Sequence, residues 1–191
     1  MHPSKSEDII DMKPLREFDI AFVGLTPGVH SFQYEIGDSF FDNYEGPQDF
    51  NDCAATVKLN LDKKNNFFLL KFEIGGKVTV TCDRCGEPFD MQLWDEFDQI
   101  VKLVDNPDEL NSEDENPDVA YISKTESHLS VANWIYEFIL LSIPMQRIHP
   151  DNADGSSGCN PKVIEMLERM NQQTKENDNP IWKGLDKFKD N

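Results

Sequence analysis

Residues 55–82 read Ala-Thr-Val-Lys-Leu-Asn-Leu-Asp-Lys-Lys-Asn-Asn-Phe-Phe-Leu-Leu-Lys-Phe-Glu-Ile-Gly-Gly-Lys-Val-Thr-Val-Thr-Cys, and their alternation decides the fold. Ala55, Val57, Leu59 and Leu61 recur at every second position, as do Phe68, Leu70, Phe72 and Ile74, then Val78, Val80 and Cys82. A period of two puts these side chains on one face of a strand, whereas a helix would need 3.6. The polar run Asp62-Lys63-Lys64-Asn65-Asn66 reverses the chain, and Gly75-Gly76 reads as a second turn. Three strands joined in this way make an antiparallel meander.

The same period extends outward on both sides. Upstream, Phe18, Ile20 and Phe22 alternate, and so do His30, Phe32, Tyr34 and Ile36 beyond a Thr26-Pro27-Gly28 turn. Downstream, Phe89, Met91 and Leu93, then Phe97, Gln99, Val101 and Leu103, predict a strand or a bent hairpin. Residues 105–118 carry seven acidic side chains and no basic one, with two prolines, which predicts a solvated loop. Helical spacing then takes over. Ser127 or Ser130 can cap a segment holding Leu129, Ala132, Trp134, Ile135, Phe138, Ile139 and Leu141, which Pro144 ends. Asn160-Pro161 signals a second helix start, with Val163, Ile164, Leu167 and Met170 on one face. Asn179-Pro180 repeats the signal before Ile181, Trp182, Leu185 and Phe188.

The expected fold class is α+β: a mostly antiparallel sheet over residues 15–104, then C-terminal helices from residue 129 that cover its apolar face. The expected organisation is a flexible N-terminus over 1–14, a single domain over 15–175 with its acidic loop at 105–118, and a linker with a short helix over 176–191. A chain of 191 residues with 38% hydrophobic content can bury one such core.

Chemistry enters at the end of the meander. Cys82-Asp83-Arg84-Cys85-Gly86 is a knuckle: two thiols two residues apart aim at one point, and the glycine takes backbone angles that a Cβ resists. One knuckle supplies half of a tetrahedral site. Cys159 stands just before the Asn160-Pro161 helix start, where the helix dipole favours a thiolate. His149 lies ten positions upstream, across a loop containing Pro150, Gly155 and Gly158. Cys82, Cys85, Cys159 and His149 would form a Cys₃His zinc site of structural type. Free thiols, and for Cys159 a small buried hydrophobe, are the plainer readings, and Cys53 fits the same description. Redox chemistry at Cys82 and Cys85 would need a helix start in a βαβ setting, and the flanks here read as strands.

Charge bears on partners. With 36 acidic and 18 basic residues the formal charge is −18, yet residues 162–191 carry six of each, so the excess lies upstream. A surface of this sign repels phosphate backbones. Lys58, Lys63, Lys64, Lys71 and Lys77 on the meander are the one candidate basic patch, and alternation can split them between two faces. No apolar run reaches the roughly 18 residues of a membrane span, and the first residues lack the pattern of a secretion signal, which points to the cytoplasm.

Taken in order, these motifs resemble the YceD family, the large-subunit ribosomal RNA accumulation proteins of bacteria and plastids. The resemblance rests on Leu25-Thr26-Pro27-Gly28, Phe40-Phe41 and Cys82-Asp83-Arg84-Cys85. It continues through Leu140-Leu141-Ser142-Ile143-Pro144-Met145, His149 and Cys159 to Asn179-Pro180-Ile181-Trp182-Lys183-Gly184-Leu185. Many relatives carry a second Cys-x-x-Cys where this chain has Cys159 with His149 upstream. The resemblance implies a non-catalytic ribosome-biogenesis factor, needed for large-subunit ribosomal RNA to accumulate. The acidic body favours contacts with ribosomal proteins or assembly intermediates over a grip on RNA. Two alternatives stay open: a direct RNA-binding module, which needs a basic stripe with exposed aromatics, and a zinc-dependent enzyme, which needs an open metal position.

Overall fold

A computed structural model of the chain describes residues 15–46, 48–113 and 116–176. The expectations for residues 1–14 and for the segment from Asn179 onward lie outside the described residues. Two compact units emerge: residues 15–80 with 90–145, and residues 81–89 with 146–176.

In chain order the elements are β1 (Asp19–Ile20), β2 (Gly28–Gly37), α1 (Asp38–Phe41), β3 (Phe50–Lys63), β4 (Phe67–Thr81), β5 (Pro88–Val104), α2 (Pro107–Glu113), β6 (Val119–Ser123), β7 (Leu129–Ser130), α3 (Ala132–Leu141) and α4 (Pro161–Glu176). The fold is α+β, with a mostly antiparallel sheet in the order β2-β3-β4-β5-β6 followed by helices. Strand β2 pairs antiparallel with β3 from Gly28 opposite Lys63 to Gly37 opposite Ala54. The pair β3–β4 closes where Lys64 donates its N–H to the Phe67 carbonyl at 2.9 Å. One face of the first unit is the core. Val57, Leu59, Leu61, Phe68 and Phe72 are fully buried there, and α3 adds Ile135, Phe138 and Ile139. Phe138 lies 5.0 Å from the Phe72 ring and stacks on Phe97 at 4.4 Å, so the expected covering of the sheet by a helix is found in α3.

Several details differ from the sequence reading, each for a local reason. Gly75-Gly76 is no turn: β4 runs straight through it, and the even-numbered apolar series never loses phase. A β-bulge in β3 between Asn51 and Ala54, with Asp52 at φ 49°, presses against this point. Gly76 has φ +129°, and a Cβ on it would lie 2.2 Å from the Ala54 carbonyl oxygen. The glycine therefore serves a close backbone approach instead of a reversal.

Of the strand and the bent hairpin expected downstream, residues 88–104 take the strand, continuous from Pro88 to Val104. The acidic stretch holds α2, started by Pro107 with Asp108 and Glu109 in its first turn, where the helix dipole favours acids. This crossover lets β6 run parallel to β5, from Val119 opposite Ile100 to Ser123 opposite Val104. Helix α3 starts at Val131 with no side-chain cap, although Ser127 and Ser130 stood ready. Its start is fixed instead by the β1–β7 pair, Asp19 opposite Ser130 and Ile20 opposite Leu129, and by the Val131 N–H donated to the Phe18 carbonyl at 3.0 Å.

Candidate metal centre

The site belongs wholly to the unit of residues 81–89 and 146–176. Its first half is the knuckle in the connection from β4 to β5. Cys82 donates its N–H to the Glu87 carbonyl at 2.9 Å, and Gly86 donates to the Cys82 carbonyl at 2.9 Å. The turn closes because Gly86 sits at φ +74°, in the left-handed region. Both thiols are thereby held on one side.

Its second half comes from a loop whose ends are pinched together. Gly155 donates to the Asn152 carbonyl at 2.9 Å, and Asn152 donates to the Ser156 carbonyl at 2.8 Å. Gly158 then passes so near the loop's start that a Cβ would lie 2.2 Å from the Pro150 carbonyl oxygen and 3.3 Å from the His149 Cβ. Ten residues of sequence thus collapse into a second knuckle. Asn160 caps α4, its Oδ1 accepting the Lys162 N–H at 3.0 Å while its amide donates to Glu87 Oε1 at 2.6 Å. Cys159 is held at that helix start.

Braces join the halves. Asp83 donates its N–H to the Arg147 carbonyl at 2.7 Å, and its carboxylate accepts the Arg147 N–H at 2.6 Å. The Arg84 guanidinium donates to Ser157 Oγ at 3.2 Å, and the His149 ring stacks on Phe89 with centroids 4.5 Å apart.

All four expected ligands converge, their ligand atoms lying within 4.8 Å of one another. Cys82 Sγ is 3.7 Å from Cys159 Sγ, and Cys85 Sγ is 3.5 Å from His149 Nδ1. A tetrahedral ion with bonds of about 2.3 Å to sulfur and 2.0–2.1 Å to nitrogen requires edges of about 3.8 Å and 3.6 Å between its ligands. The donor set therefore fits a metal ion in its chemistry, and these two edges fit one in spacing. Burial works to raise the Cys82 thiol, but backbone hydrogen bonds from His149, Cys85 and Arg84, with the His149 ring, bring it down to about 6. Cys159 is raised instead, by burial and by the neighbouring thiols of Cys82 and Cys85. A group of cysteines that press on one another's charge in this way is one that a cation relieves.

The family model described as the large ribosomal RNA subunit accumulation protein YceD matches residues 70–189, more than half of the chain, and spans every one of these ligands. The chain belongs to the YceD family. No curated protein and no solved structure matches it.

Several supporting residues escaped the sequence reading. Asp83 and Arg147 look like ordinary surface charges in the sequence, and only their separation of 64 positions, closed by folding, reveals the brace. Gly158 carried a usable signal, being a glycine directly before a ligand. Cys53 lies in β3 of the other unit, where burial and the nearby Asp38 push its thiol up to about 11. Of the meander lysines, Lys58, Lys71 and Lys77 lie at exposed positions of β3 and β4, and two of these three are matched by acids. Lys71 pairs with Glu96 and Lys77 with Asp90, each at 2.6–2.7 Å, and Lys64 pairs with Asp62. Lys63 instead donates to the Phe22 and Leu25 carbonyls.

Proposed function

We propose that this protein is a non-catalytic factor in large-subunit ribosomal RNA accumulation, acting through protein contacts, with a structural zinc ion held by Cys82, Cys85, His149 and Cys159. Membership of the YceD family supports the biological setting. The observation that carries the zinc reading is the convergence of three sulfurs and one imidazole nitrogen within 4.8 Å of one another, with the Cys82–Cys159 and Cys85–His149 edges at tetrahedral length. A four-coordinate set of protein ligands leaves no open position for substrate or water, which favours a structural role over a hydrolytic one. The zinc would fix the Cys82 knuckle to the start of α4 within one unit.

Protein contacts are favoured over direct RNA binding by charge. The formal charge is −18, and the lysines of the sheet are largely neutralised by acids beside them. Ribosomal proteins and assembly intermediates are the partners this surface suits, in the cytoplasm. No helix among the described residues is long and apolar enough to cross a membrane.

Two measurements test the reading separately. Protein purified without chelator should carry one equivalent of zinc, and cells lacking the protein should hold less large-subunit ribosomal RNA. Metal-free protein with an unchanged fold would remove the zinc, and unchanged ribosomal RNA in the deletion strain would remove the function.

A further inference from the structure

The two edges of the five-stranded sheet are finished differently. At the β6 edge the Asn111 side chain covers the backbone, donating to the Tyr121 carbonyl and accepting the Tyr121 N–H, both at 2.9 Å. This is one way a protein blunts an edge against stray pairing. Strand β2, at the opposite edge, is ten residues long and pairs with β3 alone among the described residues. In an antiparallel pair half of the backbone N–H and C=O groups point away from the partner strand. Along β2 these groups meet no backbone partner among the described residues.

A groove of about 630 Å³ runs at that edge, lined by Glu17, Phe18, Asp19, Ile20, Ala21, Leu25 and residues 32–35. Consecutive strand residues point to opposite faces, so Phe32, Gln33, Tyr34 and Glu35 can line one groove only if it follows the strand's edge. The lining holds three carboxylates and no basic side chain. Neither Glu17 nor Asp19 has an ion pair among the described residues. Phe18 stacks on Tyr34 with centroids 5.2 Å apart, giving an apolar wall. The Tyr34 hydroxyl has no hydrogen-bond partner among the described residues, and burial pushes its pKa up to about 12, so it is a donor in waiting.

We propose that the β2 edge is a docking site for an extended, basic peptide segment of a partner protein, which adds to the sheet as a further strand. Backbone hydrogen bonds to β2 would supply affinity without sequence preference. Every second side chain of the incoming strand would face Phe32 and Tyr34, and its neighbours would meet Glu17, Asp19 and Glu35. A nucleic acid is excluded as occupant because it offers phosphates to carboxylates. The identity of the segment as part of a ribosomal protein rests on the function proposed above, whereas the groove's binding chemistry does not.

The test uses the full chain and a labelled ten-residue peptide of alternating valine and lysine, followed by fluorescence anisotropy and by hydrogen exchange. A valine–glutamate peptide and a ten-nucleotide oligouridine serve as comparison probes. The valine–lysine peptide should bind saturably, the comparison probes should not, and alternate amides within residues 29–36 should gain protection. Exposed-site reversals E17K/D19K should weaken binding about tenfold, while E165K/E168K on α4 should leave it unchanged. Absence of saturable binding overturns the proposal, and so does protection that falls outside β2. Equal weakening by E165K/E168K would also overturn it, reducing the effect to bulk charge. A deletion strain with normal ribosomal RNA would end the functional reading and leave this binding result standing.

Discussion

The sheet unit and the cysteine unit are held together by different physics. In the sheet unit, twenty-odd apolar side chains are buried, and alternation along three long strands puts them on one face. In the unit of residues 81–89 and 146–176, Cys82 and Cys159 are the only buried residues among those described. A small unit without an apolar core lies below the size at which burial alone offsets chain entropy. It needs a staple, and the two residues it buries are themselves ligands in the proposed site. With the proposed zinc bound, folding of this unit and metal binding would be one process.

The largest effect should follow from breaking that staple. Cys82→Ser, or exhaustive chelation of the wild type, should abolish metal binding and expose the amides of residues 146–176 to rapid hydrogen exchange. The amides of β3 and β4 should keep their protection. Uniform loss of protection in both units would mean that the contrast is wrong and the chain folds as a single cooperative block.

The converse substitution strikes the other unit. Phe72 is fully buried against Phe138, and Phe72→Ala should cost about 3–5 kcal/mol in denaturant unfolding of the sheet. Metal stoichiometry should stay at one equivalent. A variant that loses its metal together with sheet stability would show the units to be coupled.

How far each unit could be read from sequence follows from the same contrast. The sheet was legible because burial imposes a period, and Phe68, Leu70, Phe72, Ile74, Val78 and Val80 keep one parity through Gly75-Gly76. That unbroken parity was also the signal against a turn there. A glycine pair permits either a reversal or a close backbone approach, and the bulge that decides between them sits more than twenty residues upstream. Strand β6 and helix α2 were missed because the acidic composition around them masks short elements that depend on pairing with β5. The Cys82 knuckle was legible as a local pattern. The placement of His149 beside it was legible only as chemistry, since nothing in a ten-residue spacing announces a loop pinched shut at Gly158.

Two glycines sharpen this further, because each marks a close approach in a different unit. Gly76→Ala places a Cβ 2.2 Å from the Ala54 carbonyl at a left-handed φ, so it should lower sheet stability by about 1–3 kcal/mol and leave the metal in place. Gly158→Ala places a Cβ 2.2 Å from the Pro150 carbonyl and should weaken zinc affinity by about 10–100-fold, as loss of a ligand-positioning contact does elsewhere. Competition with a chromophoric chelator reads the second effect, and urea unfolding reads the first. If Gly158→Ala left zinc affinity untouched, the pinched loop would have no part in presenting His149 and Cys159.

The smallest effect is expected on the sheet's ion pairs. Lys71 and Lys77 each contact a carboxylate at 2.6–2.7 Å, yet all four side chains are about half exposed. Water and salt screen such pairs, and holding two long side chains in one geometry costs about what the attraction gains. The neighbouring carboxylates raise both lysine pKa values further, and each charge is already matched by an acid. Replacing Lys71 and Lys77 by Met should therefore leave the melting temperature of the sheet unit within error of the wild type. It should also leave any association with oligoribonucleotides unchanged, because matched charges offer nothing to a phosphate. A steep loss of RNA association in that variant, with a reduced salt dependence, would instead place RNA on this face of the sheet and overturn the preference for protein partners.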